Sequence, residues 1–539
     1  MNTLTQRPVR EAILVTSGDM RESANKVCWP AQEELENKLT ACFAKLGVTL
    51  KRAFPVDAAR GHGFNSSQRM GMNIFSHIDP NANLVFATAA WQYTHHVLPG
   101  MRSHQGPILT VANWSGQWPG LVGLLNLNGS LVKAGVAFSS LWSETFTDEF
   151  FLSGLQQWIE TGAVKHDLSH VRSFAAGASP QVELELGKKL AEEVRRRKII
   201  LGVFDEGCMG MYNAIIDDEL LNPAGFFKER LSQSALVARM KTVSDDEAST
   251  IRAWTERCGL QYKTGSDPAT ELTDGQVLEQ CKMYIAAVRI AAEFGCDAIG
   301  IQYQQGLKDM APASDLVEGL LNNASRPPVF HEGTHEELYP GGPLPHFNEV
   351  DEGAGVDAVV TNRVWKALNL DPSTTLHDVR WGEQLGDRFV WVLQISGAAP
   401  PNHFISGYHG ASSERQPAMY FPLGGGTLKG IGRPGEIVWS RVFVESGALH
   451  VDLGTGTVVE LSDADNNRRW KETTLQWPLV NAVLHGVTRD SFMARHRANH
   501  ISIAYAPSAT DAKRALMTKA SMFHALGIQV HLCGVPLSA

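Results

Sequence analysis

The sequence predicts an α/β protein: two consecutive parallel-sheet α/β domains, then a β-rich, barrel-like C-terminal domain with helices. Three observations carry this. The first third alternates short apolar strand-like runs with helix-periodic runs, the pattern of parallel strands joined by crossover helices. A long amphipathic helix then opens a second cycle of the same alternation near residue 165. Beyond residue 355 the texture becomes β-rich runs cut by Gly and Pro, as in barrels and sandwiches. The expected boundaries are 1–165, 166–355 and 356–539, and a chain of 539 residues is long enough for several cores.

In the first segment AILVTSG reads as a strand ending in Gly. WPAQEELENKLTACFAKLG has helical periodicity and a Gly stop. VTLKRAF, ANLVFATAAW and GPILTVAN follow as strands, then the helix GLVGLLNLNGSLVKAG and the strand VAFSSLW. The second segment begins with QVELELGKKLAEEVRRRK, whose apolar stripe and basic end suit a helix with its dipole complemented. KIILGVFDEG is a buried-type strand, DGQVLEQCKMYIAAVRIAAEFG a long helix, and CDAIGIQYQQ the next strand. In the third segment FVWVLQISG, GEIVWSRVFVES, ALHVDLGTGTVVEL and HISIAYAP are strands, before a closing helix DAKRALMTKASMFHALG and strand IQVHLCGV.

Apolar residues make up 43% and charged residues 19%, as in an ordinary folded protein. A net charge of −9 and a pI near 6.1 argue against nucleic acid or an anionic membrane as the partner. Seven scattered cysteines contain no C-x-x-C, so they read as reduced thiols. The opening MNTLTQRPVREAILVTSG lacks a signal-peptide core, and no apolar run nears the ~20 residues of a membrane span. The expectation is a cytoplasmic protein.

Two motifs look chemical and are read as loops. His331-Glu332-Gly333-Thr334-His335 spells H-E-x-x-H, which on a helix would set two zinc ligands and a base on one face. Here Pro327 and Pro328 precede it, Pro340, Pro343 and Pro345 follow it, and Gly333 lies inside it. Gly430-Ile431-Gly432-Arg433-Pro434-Gly435 matches G-x-G-x-x-G, but a strand-like run follows where a dinucleotide site needs a helix.

Three other stretches each place a reactive group at an element end, where α/β proteins carry function. These are Glu349 in PHFNEVDEGAGVDAVVT, Asp378 in TTLHDVRWG, and His500 in RANHISIAYA. Singly, each has a bland account: a helix-capping glutamate, a surface Asp378–Arg380 pair, a core histidine.

Together they resemble the L-fucose isomerase family over most of the chain. The resemblance rests on Glu349-Val350-Asp351 with Gly355, on Asp378-Val379-Arg380, and on Ala498-Asn499-His500, in that order. Weaker matches are Arg21-Glu22-Ser23, Trp91, Met209-Gly210-Met211, Gly300-Ile301-Gln302-Tyr303-Gln304, Ile395-Ser396-Gly397, and Tyr420-Phe421 before Gly424-Gly425-Gly426. Residues 331–345 look like an insertion, and Thr427 stands where the family carries Tyr.

The resemblance implies a metal-dependent aldose–ketose isomerase for a deoxyhexose or pentose of the L-fucose/D-arabinose type. Glu349 and Asp378 would be acid and base on an enediol route. With His500 they would hold Mn²⁺, or Mg²⁺ or another divalent cation. Gln302, Ser396, Asn499, Tyr420 and Arg21 would bind the sugar. Trp91 would project into the pocket of a neighbouring subunit in a homo-oligomer, hexamer or trimer. The alternatives are an isomerase with another sugar preference, such as arabinose isomerase, whose two-Glu, two-His metal set cannot be assembled here; a non-catalytic sugar-binding protein; and the metalloprotease of the H-E-x-x-H motif.

Overall fold

A computed structural model describes residues 9–535. The described chain divides into two compact units. One runs to Leu168 and takes in Gly210–Asn213 and Arg489–Asn499; the other holds Ser169–Met209, Ala214–Thr488 and the chain from His500.

The first unit is a five-stranded parallel sheet of β1 (Glu11–Val15), β2 (Thr49–Arg52), β3 (Leu84–Thr88), β4 (Ile108–Asn113) and β5 (Ser139–Ser143), in the order β2-β1-β3-β4-β5. This is a doubly wound arrangement. Strand alternation supplies two apolar faces. Val85 and Ala87 of β3 join Leu35, Leu39 and Phe43 of the helix Glu22–Lys45 and Phe151, Leu155 and Trp158 of Glu149–Thr161. Leu84 and Phe86 face the other way, onto Leu98, Met101, Leu127 and Leu131.

The first helix corrects an expected boundary: it begins at Glu22, not at Trp29, and carries Pro30 inside it. Proline removes one backbone hydrogen bond and favours a helix start. Here the turns before it are held by buried Ala24, Asn25, Cys28 and Trp29, and that burial outweighs the lost bond.

In the second unit, β6 (Val171–Ser173) leads through the helix Gln181–Arg197 to a small parallel sheet. Its strands are β7 (Ile199–Phe204), β8 (Phe226–Leu231) and β10 (Ala298–Ile301), ordered β10-β7-β8. The two-residue strand β9 (Gln261–Tyr262) lies apart from it. The helix Asp274–Glu293 precedes β10 and is capped by reciprocal hydrogen bonds between Thr273 and Gln276.

The rest is a closed antiparallel barrel. β11 (Thr375–Leu385), β12 (Arg388–Gln394), β14 (Gly435–Glu445), β15 (Ala448–Val458), β16 (Val480–Leu484) and β17 (His500–Ala506) run in the order β14-β17-β11-β12-β16-β15. Pairing of β14 with β15 closes the ring. β18 (Gln529–Cys533) adds to β15 and carries β6 on its outer side, while β13 (Ser412–Ser413) pairs with β9. The β14–β15 hairpin turns through Ser446 and Gly447, both with positive φ (51° and 72°), the primed turn whose twist suits paired strands. No compact boundary falls near residue 355: the small parallel sheet and the barrel lie in one unit. Among the described residues no helix is long and apolar enough to cross a membrane.

Candidate active site

Strand register brings the first two groups together. β11 and β17 run antiparallel with Asp378 directly opposite His500, so their side chains leave the same face. Just beyond, the β11–β12 ladder skips from Val379 to Trp381, a bulge at Arg380. Bulges bend a strand and re-aim its side chains beside functional sites. Asp378 Oδ1 consequently sits 3.5 Å from His500 Nε2. Arg380 is not at the surface. It is 2% exposed, donates to Thr474 Oγ1 at 3.3 Å, and lies over the Trp477 ring.

Glu349 arrives from the parallel sheet. The segment before it runs beside β10, with Ile299 N–H donating to Pro345 and Phe347 N–H to Ile299. The chain then makes a strained turn in which Glu349 and Val350 both take positive φ, 57° and 53°. Neither is glycine, and a β-branched residue there is a true outlier. Such strain costs on the order of 1–3 kcal/mol per residue and persists where the surroundings enforce it. Here the turn is followed at once by the helix Glu352–Ala367, capped by Asp351, which accepts from Ala354 N at 3.1 Å. Glu349 Oε2 ends 3.6 Å from His500 Nε2.

The other imidazole nitrogen is fixed by the capping residue. His500 Nδ1 lies 2.7 Å from Asp351 Oδ2, which also accepts from Arg441 Nη1 of β14 at 2.5 Å. All three side chains are essentially buried. Burial alone would push the His500 pKa down; the hydrogen bond to Asp351, the Glu349 carboxylate 3.6 Å away and the charges of Asp351 and Asp378 override it and raise it to about 10. Burial would raise Asp351, but the Arg441 charge and the His500 contact hold it well below the usual carboxylate range.

Two carboxylates and an imidazole make an O, O, N donor set without thiolate, suited to Mn²⁺ or Mg²⁺. The 3.5 and 3.6 Å separations from Nε2 approach the roughly 3–3.5 Å between neighbouring ligands that sit about 2.1 Å from one cation. A carboxylate on the far ring nitrogen is the usual support of a ligating histidine. Among the described residues no group of three such side chains is already arranged as a metal site. The chemistry of the trio and the Asp351 support behind the imidazole fit the ion.

Glu349 also lines a narrow cleft with Gln302, Tyr303, Gln304, Ser314, Asp315, Glu318, Ser396 and Phe421. Gln302 follows the carboxyl end of β10, where open α/β sheets place ligands. Phe421 stacks on Tyr303 with ring centroids 5.6 Å apart. The glycine triplet seats this wall: Gly425 has φ 101°, and a Cβ on it would stand 2.5 Å from the Ala313 nitrogen. Ser396 Oγ–H donates to Asp315 Oδ1 at 2.8 Å, and the Gln416 amide donates to the Ser396 carbonyl at 2.6 Å.

Of the residues singled out in the sequence, Glu349, Asp378 and His500 meet, and Gln302 and Ser396 line the adjoining cleft with Glu349. Phe421, not Tyr420, lines it; Tyr420 is buried one position away. Three others belong to the first unit. Arg21 stands at the start of the helix Glu22–Lys45 without capping it through its side chain, and pairs with Asp19 at 2.5 Å. Asn499 donates to Met211 Sδ at 3.2 Å. Trp91 is 7% exposed within the chain. Sequence reasoning missed Arg441 and Asp315 altogether, and saw Asp351 only as a motif letter. Its place just before a helical run was the available signal.

Neither look-alike motif forms a site. Residues 331–337 contain no helix, are exposed, and turn at Gly333 with φ 72°, so His331 and His335 share no helical face. Gly430–Gly435 is loop that enters strand β14. Fold and site together define an α/β protein with a closed barrel and a buried carboxylate–imidazole cluster opening on a polar cleft. Compared with known proteins, the chain matches no family model and no curated sequence.

Proposed function

We propose that this protein is a metal-dependent aldose–ketose isomerase acting on a deoxyhexose or pentose of the L-fucose/D-arabinose type. The supporting observation is that Glu349, Asp378 and His500, far apart in the chain, converge beside a cleft lined by hydrogen-bonding groups. An open-chain sugar in that cleft presents C1 and C2 to the two carboxylates. One takes the proton from the carbon next to the carbonyl, the hydroxyl proton passes to the neighbouring oxygen, and a carboxyl group returns a proton to the former carbonyl carbon. The roles interchange in the reverse direction.

A divalent cation held by Glu349, Asp378 and His500 would supply Lewis-acid stabilisation of the negative charge on the sugar oxygens. Asp351 keeps the His500 ring oriented. The Gln302 amide and Ser396 hydroxyl orient sugar oxygens, and the Tyr303–Phe421 stack excludes water and faces C–H surface. The resemblance also carries the proposal of a cytoplasmic homo-oligomer, hexamer or trimer, which light scattering tests.

The experiment is a panel of aldoses incubated with protein plus Mn²⁺ or plus EDTA, read as ketose formed. Metal-dependent ketose formation from a 6-deoxyhexose or pentose is expected. No ketose from any member, with Mn²⁺ bound, overturns the proposal.

A further inference from the structure

We propose that Asp315 determines specificity in the cleft: its outer carboxyl oxygen accepts a hydrogen bond from one hydroxyl of a neutral, unphosphorylated polyol, while the Gln302 amide donates to another. The proposal rests on the sugar-isomerase reading for the identity of the ligand. Its two polar atoms belong to residues outside the reacting trio, of which Glu349 lines the same cleft.

Asp315 is 3% exposed. Its Oδ1 accepts from Ser396, but its Oδ2 has no hydrogen-bond partner among the described residues. The Gln416 amide, which donates to the Ser396 carbonyl at 2.6 Å, also lowers the proton affinity of Asp315, and it makes no hydrogen bond to Oδ2. Across the cleft Gln302 is fully buried; its Oε1 accepts from Gln304 N at 3.1 Å, and its Nε2 has no partner among the described residues. One buried acceptor and one buried donor thus line the same space without partners. Burying either unmade is unfavourable, so native structures supply a ligand or water at such points.

Glu318, the neighbouring buried acid, is already engaged by the Ser314 hydroxyl and the Asn348 amide, which leaves Asp315 as the open carboxyl. A hydroxyl-bearing chain offers both donors and acceptors, the complement of this pair. Charge sets the ligand class. The lining contains Asp315, Glu318 and Glu349 and neither Lys nor Arg, so a phosphate or carboxylate on the ligand would meet acids without a counter-charge. Burial and the Glu349 charge hold the Asp315 carboxyl above the usual carboxylate range, in keeping with an acid shielded from water.

The test is calorimetric binding of alditols, the reduced open-chain sugars, to full-length protein with Mn²⁺. The probes are L-fucitol, D-arabinitol, their single-deoxy analogues, and the aldonates as charged controls. Asp315→Asn keeps the oxygen that Ser396 holds and replaces the open acceptor with a donor. Wild type is expected to lose about tenfold or more in affinity for one deoxy position, and to bind aldonates at least as weakly. The variant is expected to bind the parent alditol about tenfold more weakly and no longer to distinguish that deoxy analogue.

Unchanged variant affinity, or a wild type that binds no alditol or ignores every deoxy change, overturns the proposal. Tight aldonate binding in EDTA, where no cation can hold the carboxylate, overturns its charge argument. The deoxy series on wild type alone decides the matter if the variant does not fold. Alditol binding that responds to Asp315→Asn without ketose formation from any aldose would sink the isomerase reading and leave this one standing.

Discussion

Replacing Asp351 with Asn removes one charge and almost no volume. In the wild type its Oδ2 accepts from both Arg441 Nη1 (2.5 Å) and His500 Nδ1 (2.7 Å), while Oδ1 caps the helix Glu352–Ala367. Asparagine keeps the oxygen that caps the helix but puts an NH2 group where Oδ2 accepted from Arg441 and His500, and leaves the guanidinium without its counter-charge. The Arg441 side chain is 2% exposed, and its Nε and Nη2 have no partners among the described residues. Stripping one partner from a buried ion pair costs about 3–5 kcal/mol, a large share of the roughly 5–15 kcal/mol that holds a typical protein folded. Loss of a carboxylate behind a ligating histidine typically weakens metal binding about 10–100-fold.

Urea unfolding and Mn²⁺ calorimetry measure the two effects separately. Expected are a lowered urea midpoint, a weaker Mn²⁺ Kd, and turnover that recovers substantially at saturating metal because Glu349 and Asp378 are intact. The double variant Asp351→Asn/Arg441→Met removes both charges, and should regain most of the stability but none of the metal affinity. Wild-type Mn²⁺ affinity together with a wild-type urea midpoint in the single variant would refute the reasoning.

Glu349→Gln and Asp378→Asn should each lower kcat by about 10²–10⁴-fold while the protein stays folded, checked by ketose formation beside circular dichroism; a near-wild-type rate in either removes that residue from the acid–base pair. Gly425→Ala should cost more than about 1 kcal/mol, since its φ of 101° suits glycine and the new Cβ meets the Ala313 backbone. It should also raise KM by shifting the Phe421 wall, so a variant with unchanged melting and KM would contradict the packing argument. His335→Ala, in the exposed 331–337 turn, should change stability by less than about 0.5 kcal/mol and leave isomerase activity intact, as stability and rate assays will show.

Buried His403, whose pKa burial holds down to about 4, should contribute an acid limb. The unfolded chain binds a proton there near pH 6.5 and the folded one does not, so stability falls as pH drops from about 6.5 toward 4, by about 1.4 kcal/mol per pH unit. Asp315 and Glu318, raised by burial, act in the opposite sense. The measurement is therefore the difference in unfolding free energy between His403→Asn and wild type across that range. A difference independent of pH would refute it.

What the sequence revealed and what it hid follow one physical line. Strand alternation, helix periodicity and Gly stops are local, so the parallel units and the β-rich region were legible, and element ends exposed Glu349, Asp378 and His500. Barrel closure depends on the pairing of β14 with β15 and on the short strand β16, whose five residues VNAVL carry too little pattern to announce a strand. Arg441 sits in a run that reads as apolar strand, and Asp315 opens a seven-residue helix too short to stand out by its periodicity. Their roles come from burial beside a partner distant in sequence, which no local pattern encodes.

Asp351 joins these two kinds of information. Its cap is local, made to Ala354 three residues on, and marks where the helix begins. Its ties to Arg441, 90 residues away, and to His500, 149 residues away, are what bind the helix start to two barrel strands. Since Glu349 lies two residues earlier in a left-handed turn, those ties also set where its carboxylate points. The strain at Glu349 and Val350 is then the cost of placing a carboxylate on the same turn that locks the helix to the barrel.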